Sequence, residues 1–280
     1  MEVSAEEIKQ ALLLAIEKDQ LVLPTLPEIA LQVREAAADP DTDIKKLQNL
    51  LQNDAGLSAR VVRVANSPLV RGYNSIEDLP AALSRLGVVY SCNLAMGLAM
   101  EQMFQATNEN IDKRLREVWS QSTEVAAIAN VLAQHYTSLE SDQATLAGLT
   151  HQIGILPILT YAEENEELLL EQNQQHLDSI ITAISPTIGQ RILQEWKFPE
   201  ALASVPIDHL DILRDSGQTD FTDVVIVARL QSHGFGNALQ DIPDWDTIPA
   251  FAKLGLVGGE ESLELDDYSE EIALAADVLQ

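Results

Sequence analysis

Apolar residues recur at α-helical spacing along almost the whole chain, and this periodicity limits the possible folds more than any other feature. One segment, residues 221–230, is rich in β-branched side chains, but no second such segment offers it a partner strand. We therefore predict helix there too, and an all-α protein. The predicted helices cover about residues 4–19, 27–38, 43–53, 56–66, 78–105, 110–136, 141–151, 153–173, 177–184, 187–196, 200–207, 219–232 and 269–279.

Fifteen uncharged residues, LGVVYSCNLAMGLAM, separate Arg85 from Glu101. The run is shorter than the about 18 residues that a membrane helix needs, so it predicts a helix buried at the centre of the first half. Gly87 and Gly97 favour close approach of neighbouring helices there. Cys92, in the same run, is expected to be a buried small side chain and not a reactive thiol.

The charge of the chain excludes several classes of protein. Its 280 residues include 17 Lys and Arg against 44 Asp and Glu, a formal net charge of −27. Residues 1–116 contribute −4 and residues 117–280 contribute −23. A protein this acidic repels phosphate backbones, so we expect no nucleic-acid partner. Since 46% of the residues are hydrophobic, the acidity does not predict disorder.

Cellular location follows from what the sequence lacks. A single cysteine cannot form an internal disulfide, and the first 20 residues lack the basic region and cleavage site of a secretory signal. No apolar run reaches membrane-spanning length. We expect a cytoplasmic protein without a membrane partner.

Local motifs do not predict an enzyme. The sequence has no phosphate-binding glycine loop, no cysteine pair for zinc, no G-x-S-x-G and no H-E-x-x-H. No two histidines lie three or four residues apart, so spacing alone builds no metal site. The histidines are His135, His151, His176, His209 and His233.

Residues 43–66 have the outline of a helix-turn-helix, with Arg60 and Arg63 on the second helix. The local net charge is only +2, whereas a DNA-reading element normally carries a strong basic surface. Two helices that pack on the core are therefore the favoured interpretation.

Three segments resemble a known family. LPTLPEIALQVREAAADPDTDIKKLQNLLQNDAGLSARVVRVANSPLV and IEDLPAALSRLGVVYSCNLAMGL are similar to the opening half of an HDOD domain, a bacterial signalling module related to HD phosphohydrolases. ATLAGLTHQIGILPIL lies where that family has a GLLHDIG-like segment, and the similarity covers about residues 20–235. The resemblance implies an N-terminal helical subdomain (1–116) packed on an HD-like helical bundle (117–235), with an acidic C-terminal extension (236–280).

The resemblance also implies where the metal ligands of a catalytic HD protein would fall. In this chain those vestigial positions are Gln121, His151, Gln152, Ser185, Asp208, His209 and Arg229. Only His151 and His209 keep a ligand-type side chain in register. Gln152 is uncharged where a bridging carboxylate is needed, and Arg229 is a permanent cation. We therefore expect no catalytic residues, no bound metal and no cofactor.

These expectations lead to a non-catalytic bacterial signal-transduction module that acts through contacts with a signalling protein. Two alternatives stay open. One is a metal-dependent phosphohydrolase (phosphodiesterase-like) that uses His151, His209 and nearby carboxylates. The other is a sensor whose vestigial pocket binds a small anionic ligand through Arg229, unless Arg229 pairs with Asp208 or Asp223 and merely closes the bundle. The sequence leaves the oligomeric state open.

Overall fold

The structure, a computed structural model, describes residues 23–67, 70, 75–164, 174–232, 245–256 and 268–279. Within these residues the regular elements are all helices and none is a strand, which confirms the all-α prediction. The predicted helix at 4–19 lies outside the described residues. The helices are α1 (Glu28–Ala38), α2 (Ile44–Leu51), α3 (Ala55–Ala65), α4 (Leu79–Leu86), α5 (Val88–Met100), α6 (Glu109–Tyr136), α7 (Ser141–Thr150), α8 (Ile155–Glu164), α9 (Gln174–Glu195), α10 (Glu200–Ala203), α11 (Val205–Asp208), α12 (Phe221–Gln231), α13 (Pro249–Lys253) and α14 (Ser269–Leu279).

Aspartate side chains begin several of these helices. Asp43, Asp54 and Asp78 each accept a hydrogen bond from the backbone N–H three residues later, at 2.7 to 2.9 Å. Such caps satisfy N–H groups that have no partner within the helix. Asp220 does the same for α12, and Asp223 bonds back to the Asp220 N–H, which completes a capping box. Residues 221–231 are thus helix, as predicted.

The single helix expected over 78–105 is wrong, because Gly87 divides it into α4 and α5. Gly87 has φ 80° and ψ 163°, a conformation that favours glycine, and the two helix axes differ by 114°. No single helix among the described residues is long and apolar enough to span a membrane. The helices Leu79–Leu86 and Val88–Met103 have the length and apolar composition of a membrane span only when they are counted together, across the 114° bend between them.

The two helices expected at 177–184 and 187–196 are also wrong as separate elements. They form the continuous helix α9, with Pro186 inside it. Proline removes one backbone hydrogen bond, but the apolar stripe along one face continues past it and keeps the helix docked. The buried members of the stripe are Ile180, Ile184, Ile188 and Ile192.

The longest helix, α6, lies at the centre and packs against α7, α12 and α14. A Cβ on Gly148 would lie 2.5 Å from the Ala126 Cα, so α7 and α6 touch at the backbone. A Cβ on Gly97 would lie 2.6 Å from Leu149 Cδ1, so α5 also packs closely on α7, as its glycine predicts. Because α6 covers residues 109–136, it runs through the predicted boundary at 116, and the domain division remains a prediction.

The described parts of the C-terminal extension are packed against the rest of the molecule. Phe251 of α13 and both Ala275 and Leu279 of α14 are buried. Arg60 of α3 donates from Nη2 to the Leu279 carbonyl at 2.7 Å and forms an ion pair with Glu101. Arg60 is therefore engaged inside the protein, which supports the core-packing interpretation of residues 43–66.

Candidate functional site

The helix ends of α7 and α11 place two histidines in the interior. His151 directly follows α7 and His209 directly follows α11, and they are 2% and 3% exposed. Their ring centroids lie 5.2 Å apart, with the ring planes at 86°. Two residues far apart in the sequence thus meet edge to face at one point in the bundle.

Each ring is held by a backbone carbonyl within its own helical turn. His151 Nδ1 lies 2.6 Å from the Gly148 oxygen, and His209 Nδ1 lies 2.7 Å from the Val205 oxygen. A carbonyl oxygen can only accept, so Nδ1 carries the proton in both rings. Nε2 of each neutral ring is then left as an acceptor.

Burial keeps both histidines neutral. It lowers the pKa of His151 to about 3, and the positive charge of Arg229 acts in the same direction. The pKa of His209 is also held well below its usual value, first by burial and then by His151 and Arg229. At neutral pH this pair offers two lone pairs and no positive charge.

Arg229 of α12 supplies the positive charge beside the two rings. Its Nη1 donates to the His209 carbonyl at 3.4 Å. Burial lowers the pKa of Arg229 to about 10, which still leaves the guanidinium protonated at neutral pH. The two retained histidines and the arginine predicted for the closing position therefore do come together.

The residue that the family resemblance places where a bridging carboxylate is expected, Gln152, carries no charge. Gln152 directly follows His151 and is half-buried. Its buried Oε1 has no hydrogen-bond partner among the described residues, and such an unsatisfied group typically costs about 1–3 kcal/mol. The amide adds no charge for a metal ion.

Ser185 and Asp208 lie on helices next to the histidines. Ser185 is a half-buried residue of α9, and its backbone oxygen lies where a side chain on Gly154 would have to be. Gly154 belongs to the turn that His151 begins, so α9 crosses that turn at backbone contact. Asp208 is the half-buried last residue of α11, immediately before His209.

Gln121, which the family resemblance places at the first histidine, lies on an exposed part of α6. It lines a cavity of about 230 Å³ between α6, α8 and α9. Apolar walls come from Ile155 and Leu159, and Arg114 and Asp178 form an ion pair at this cavity. Within the described part of the chain, no group of three or more His, Cys, Asp or Glu side chains is placed to hold a metal ion.

Sequence reasoning missed the ion-pair network that holds the segment after His209. The fully buried Asp223 pairs with Arg214 at 3.2 Å and with Lys253 at 3.3 Å. Arg214 also makes two 2.8 Å bonds to Asp220. Burial and the nearby Asp220 raise the pKa of Asp223, while Arg214 and backbone hydrogen bonding help to lower that of Asp220 despite its own burial. The Asp220-x-x-Asp223 capping pattern was a sequence signal that could have located it.

Comparison with known proteins decides the family. The model of the HDOD domain family matches residues 23–211. The chain belongs to the HDOD family. The match includes the positions from Gln121 to His209 and ends before Arg229. Arg229 is therefore included in the candidate site because of its contact with His209. Three crystal structures have a fold similar to that of this chain.

The first of these structures, from Shewanella amazonensis SB2B, is provisionally named a metal-dependent phosphohydrolase. It is 29% identical, with 99% of each chain covered and a TM-score of 0.87. An HDOD domain protein from Geobacter sulfurreducens is 24% identical over 98% of this chain and 99% of its own, with a TM-score of 0.66. A protein from Marinobacter aquaeolei VT8, named for signal transduction, is 21% identical over 94% of this chain and 61% of its own, with a TM-score of 0.63.

Curated proteins add one relative, an uncharacterised protein of Treponema pallidum (strain Nichols). It is 25% identical over an alignment of 212 residues, and the match covers 71% of this chain. The chain covers 39% of the length of that relative.

Proposed function

We propose that this HDOD chain is a non-catalytic signal-transduction module that acts in the cytoplasm through contacts with another protein. The proposal rests on the side chains of His151, His209, Arg229 and Gln152, which we call the centre. They supply two neutral imidazoles, one guanidinium and an uncharged amide. A hydrolytic metal site needs several carboxylate or neutral imidazole ligands to offset the metal's charge, and a two-metal site also needs a bridging carboxylate. Arg229 does the reverse, because its positive charge opposes that of a metal ion.

A metal-dependent phosphohydrolase is the second candidate. Histidines that bind metals usually donate their other ring N–H to a carbonyl or carboxylate, and both His151 and His209 donate in this way to backbone oxygens. The name of the Shewanella amazonensis relative points in the same direction. Two ligands next to a cation nevertheless leave the charge of a divalent ion uncompensated.

A small anionic ligand at the same centre has weaker support. The neutral Nε2 atoms of His151 and His209 accept hydrogen bonds, as an anion does, so they repel it. The Nδ1–H groups of both rings already donate to backbone oxygens, and Arg229, the charged donor among these three side chains, already donates to the His209 carbonyl.

Restoring the missing carboxylates tests the proposal. The wild-type chain, incubated with Mn²⁺ and desalted, should retain no stoichiometric metal by elemental analysis and should not hydrolyse bis-p-nitrophenyl phosphate or a cyclic dinucleotide. The double variant Gln152→Asp/Arg229→Asp should bind Mn²⁺, because it supplies two carboxylates and removes the cation. Its matched control, Gln152→Asn/Arg229→Asn, removes the cation without adding charge and should bind much less.

The opposite outcome is equally clear. If wild-type protein retains one or two ions per chain and its turnover disappears in His151→Ala, the chain is a phosphohydrolase and the non-catalytic proposal is wrong.

A further inference from the structure

Two large apolar side chains are left exposed in one short turn just after the centre. Leu210 is 49% exposed and Leu213 is 57% exposed. Ile212, between them, packs against the core. One apolar side chain of the turn therefore packs inward, and two large ones, three residues apart, remain exposed to solvent.

The backbone of this turn is held by several hydrogen bonds. The Asp211 N–H donates to the Asp208 oxygen at 3.2 Å, and the Arg214 N–H donates to the Asp211 oxygen at 3.1 Å. The Leu213 N–H donates to Asp211 Oδ1 at 3.2 Å. The two leucines are therefore presented by an ordered turn, which reduces the entropy that a partner's binding must overcome.

Both ends of the turn are anchored in buried structure. At one end His209 is buried, and its carbonyl accepts from Arg229. At the other end Arg214 is 17% exposed and pairs with Asp220 and with the buried Asp223. The turn is therefore fixed at one end by the contact between His209 and Arg229 and at the other by the ion pairs of Arg214.

Three carboxylates lie within two residues of an exposed leucine in the sequence. Asp211 is exposed, Asp208 is half-buried, and Asp215 keeps 71% of its side chain exposed although it pairs with Lys253 Nζ at 3.4 Å. The cation within the turn, Arg214, is already paired. Since residues 117–280 carry a net charge of −23, a second copy of this chain, a nucleic acid or an anionic membrane would be repelled, and a basic partner would be attracted.

We propose that residues 208–215, the docking turn, bind a basic amphipathic segment of a protein partner. Its apolar face covers Leu210 and Leu213, and its Lys or Arg side chains pair with Asp211 and Asp215. The inference rests on the proposed function as a protein-contact module and names the chemistry of the partner.

The test uses the full chain and a fluorescent 18-residue helical peptide with Leu on one face and Lys on the other. In 0.15 M salt, Leu210→Ser/Leu213→Ser should weaken peptide binding at least tenfold, measured by fluorescence anisotropy. The matched control is Val89→Ser/Leu274→Ser, since Val89 and Leu274 are 60% and 40% exposed elsewhere. It should change the affinity less than twofold, which separates docking at the turn from general attraction to an acidic protein.

Charge is tested in the same assay. Asp211→Asn/Asp215→Asn should weaken binding and reduce its dependence on salt, and a peptide with Glu in place of Lys should not bind. All four substituted side chains are exposed, and thermal melts of each variant verify that it is folded.

Equal affinity of the wild type and the Leu210→Ser/Leu213→Ser variant, or binding of the Glu peptide, would overturn the proposal. So would sedimentation showing that the wild type is a dimer and this variant a monomer, since the occupant would then be a second copy. Metal content and hydrolysis, measured on the same preparations, report separately on the proposed function.

Discussion

At the scale of single residues, the chemistry of the centre is decided by desolvation. His151 and His209 are ordinary histidines by sequence, but burial beside Arg229 makes the protonated form of either ring unfavourable. The same burial leaves Gln152 Oε1 without a described partner. Burial also raises the pKa of Cys92 to about 11, which fits the expected inert thiol.

The buried histidines predict a specific dependence of stability on pH. An unfolded histidine titrates near 6.5, whereas the pKa of folded His151 is about 3. The neutral ring therefore contributes its full stability above about pH 6.5, and this contribution is lost as the pH falls towards 3. When the pH is lowered from 7 to 5, the unfolding free energy of the wild type should fall by about 2 kcal/mol more than that of His151→Asn.

Urea denaturation at both pH values measures this difference. Gln152→Asn, a neighbouring change that removes no titrating group, is the control and should follow the wild type. A pH dependence of His151→Asn parallel to that of the wild type would contradict the prediction.

At the scale of elements, glycines decide where helices can touch or turn. Gly148 brings α7 onto α6, Gly97 brings α5 onto α7, and Gly154 brings the His151 turn onto α9. Gly87 ends one helix and begins the next at a conformation with positive φ. These contacts orient α7 and hence His151, because a helix docked at the backbone has little freedom to rotate.

Gly154→Ala should destabilise the protein strongly. Its Cβ would lie 2.5 Å from the Gly189 backbone N and against the Ser185 oxygen, and backbone atoms cannot swing aside as a side chain can. We expect a loss of about 3 kcal/mol in unfolding free energy, at the upper end for overpacking.

Gly56→Ala is the matched control for this substitution. Gly56 lies in α3, and a Cβ there would meet Asp54 Oδ1 at an ordinary 3.4 Å. This variant should be as stable as the wild type or gain up to about 1 kcal/mol, since alanine favours helix more than glycine does. Equal unfolding curves for the two variants would show that α9 does not restrict the turn.

At the scale of the whole molecule, the charge is large and uneven. Residues 117–280 carry a net charge of −23, yet the charge that acts on both histidines is the cation Arg229. Under the proposed non-catalytic function, this acidity does not serve hydrolytic chemistry at the centre. Exposed carboxylates such as Asp211 instead give the second half a negative surface, which favours basic partners.

Self-repulsion of this charge should make the protein more stable at higher salt. Raising NaCl from 0.02 to 0.5 M shortens the screening length several-fold, so we expect Tm to rise by about 2–4 °C, which corresponds to about 1 kcal/mol. Scanning calorimetry measures the shift, and KCl at the same ionic strength should reproduce it. A lower Tm in high salt would mean that attractive ion pairs outweigh the repulsion.

Much of the fold could be predicted from the sequence because helical periodicity is a local property. α1, α3, α6 and α14 begin and end within a few residues of their predicted limits. The errors at Gly87 and Pro186 arose because each residue has two local outcomes. Glycine can continue or turn a helix, and proline can end a helix or be carried through it by a continuous apolar face.

The centre was less predictable from local spacing. His151 and His209 were singled out through the family resemblance, since nothing in their immediate neighbours marks them as a pair. The network around Asp223 was missed, because its partners Arg214 and Lys253 lie on separate segments.

The sequence by itself determined the helical class, the acidic second half and the absence of carboxylates at Gln152 and Arg229, because these are properties of residue type and short-range order. Only the tertiary structure decided that His151, His209 and Arg229 meet. It also decided that both rings are neutral and that Leu210 and Leu213 stay exposed. Burial and long-range packing set these properties, and both depend on residues far apart in the chain.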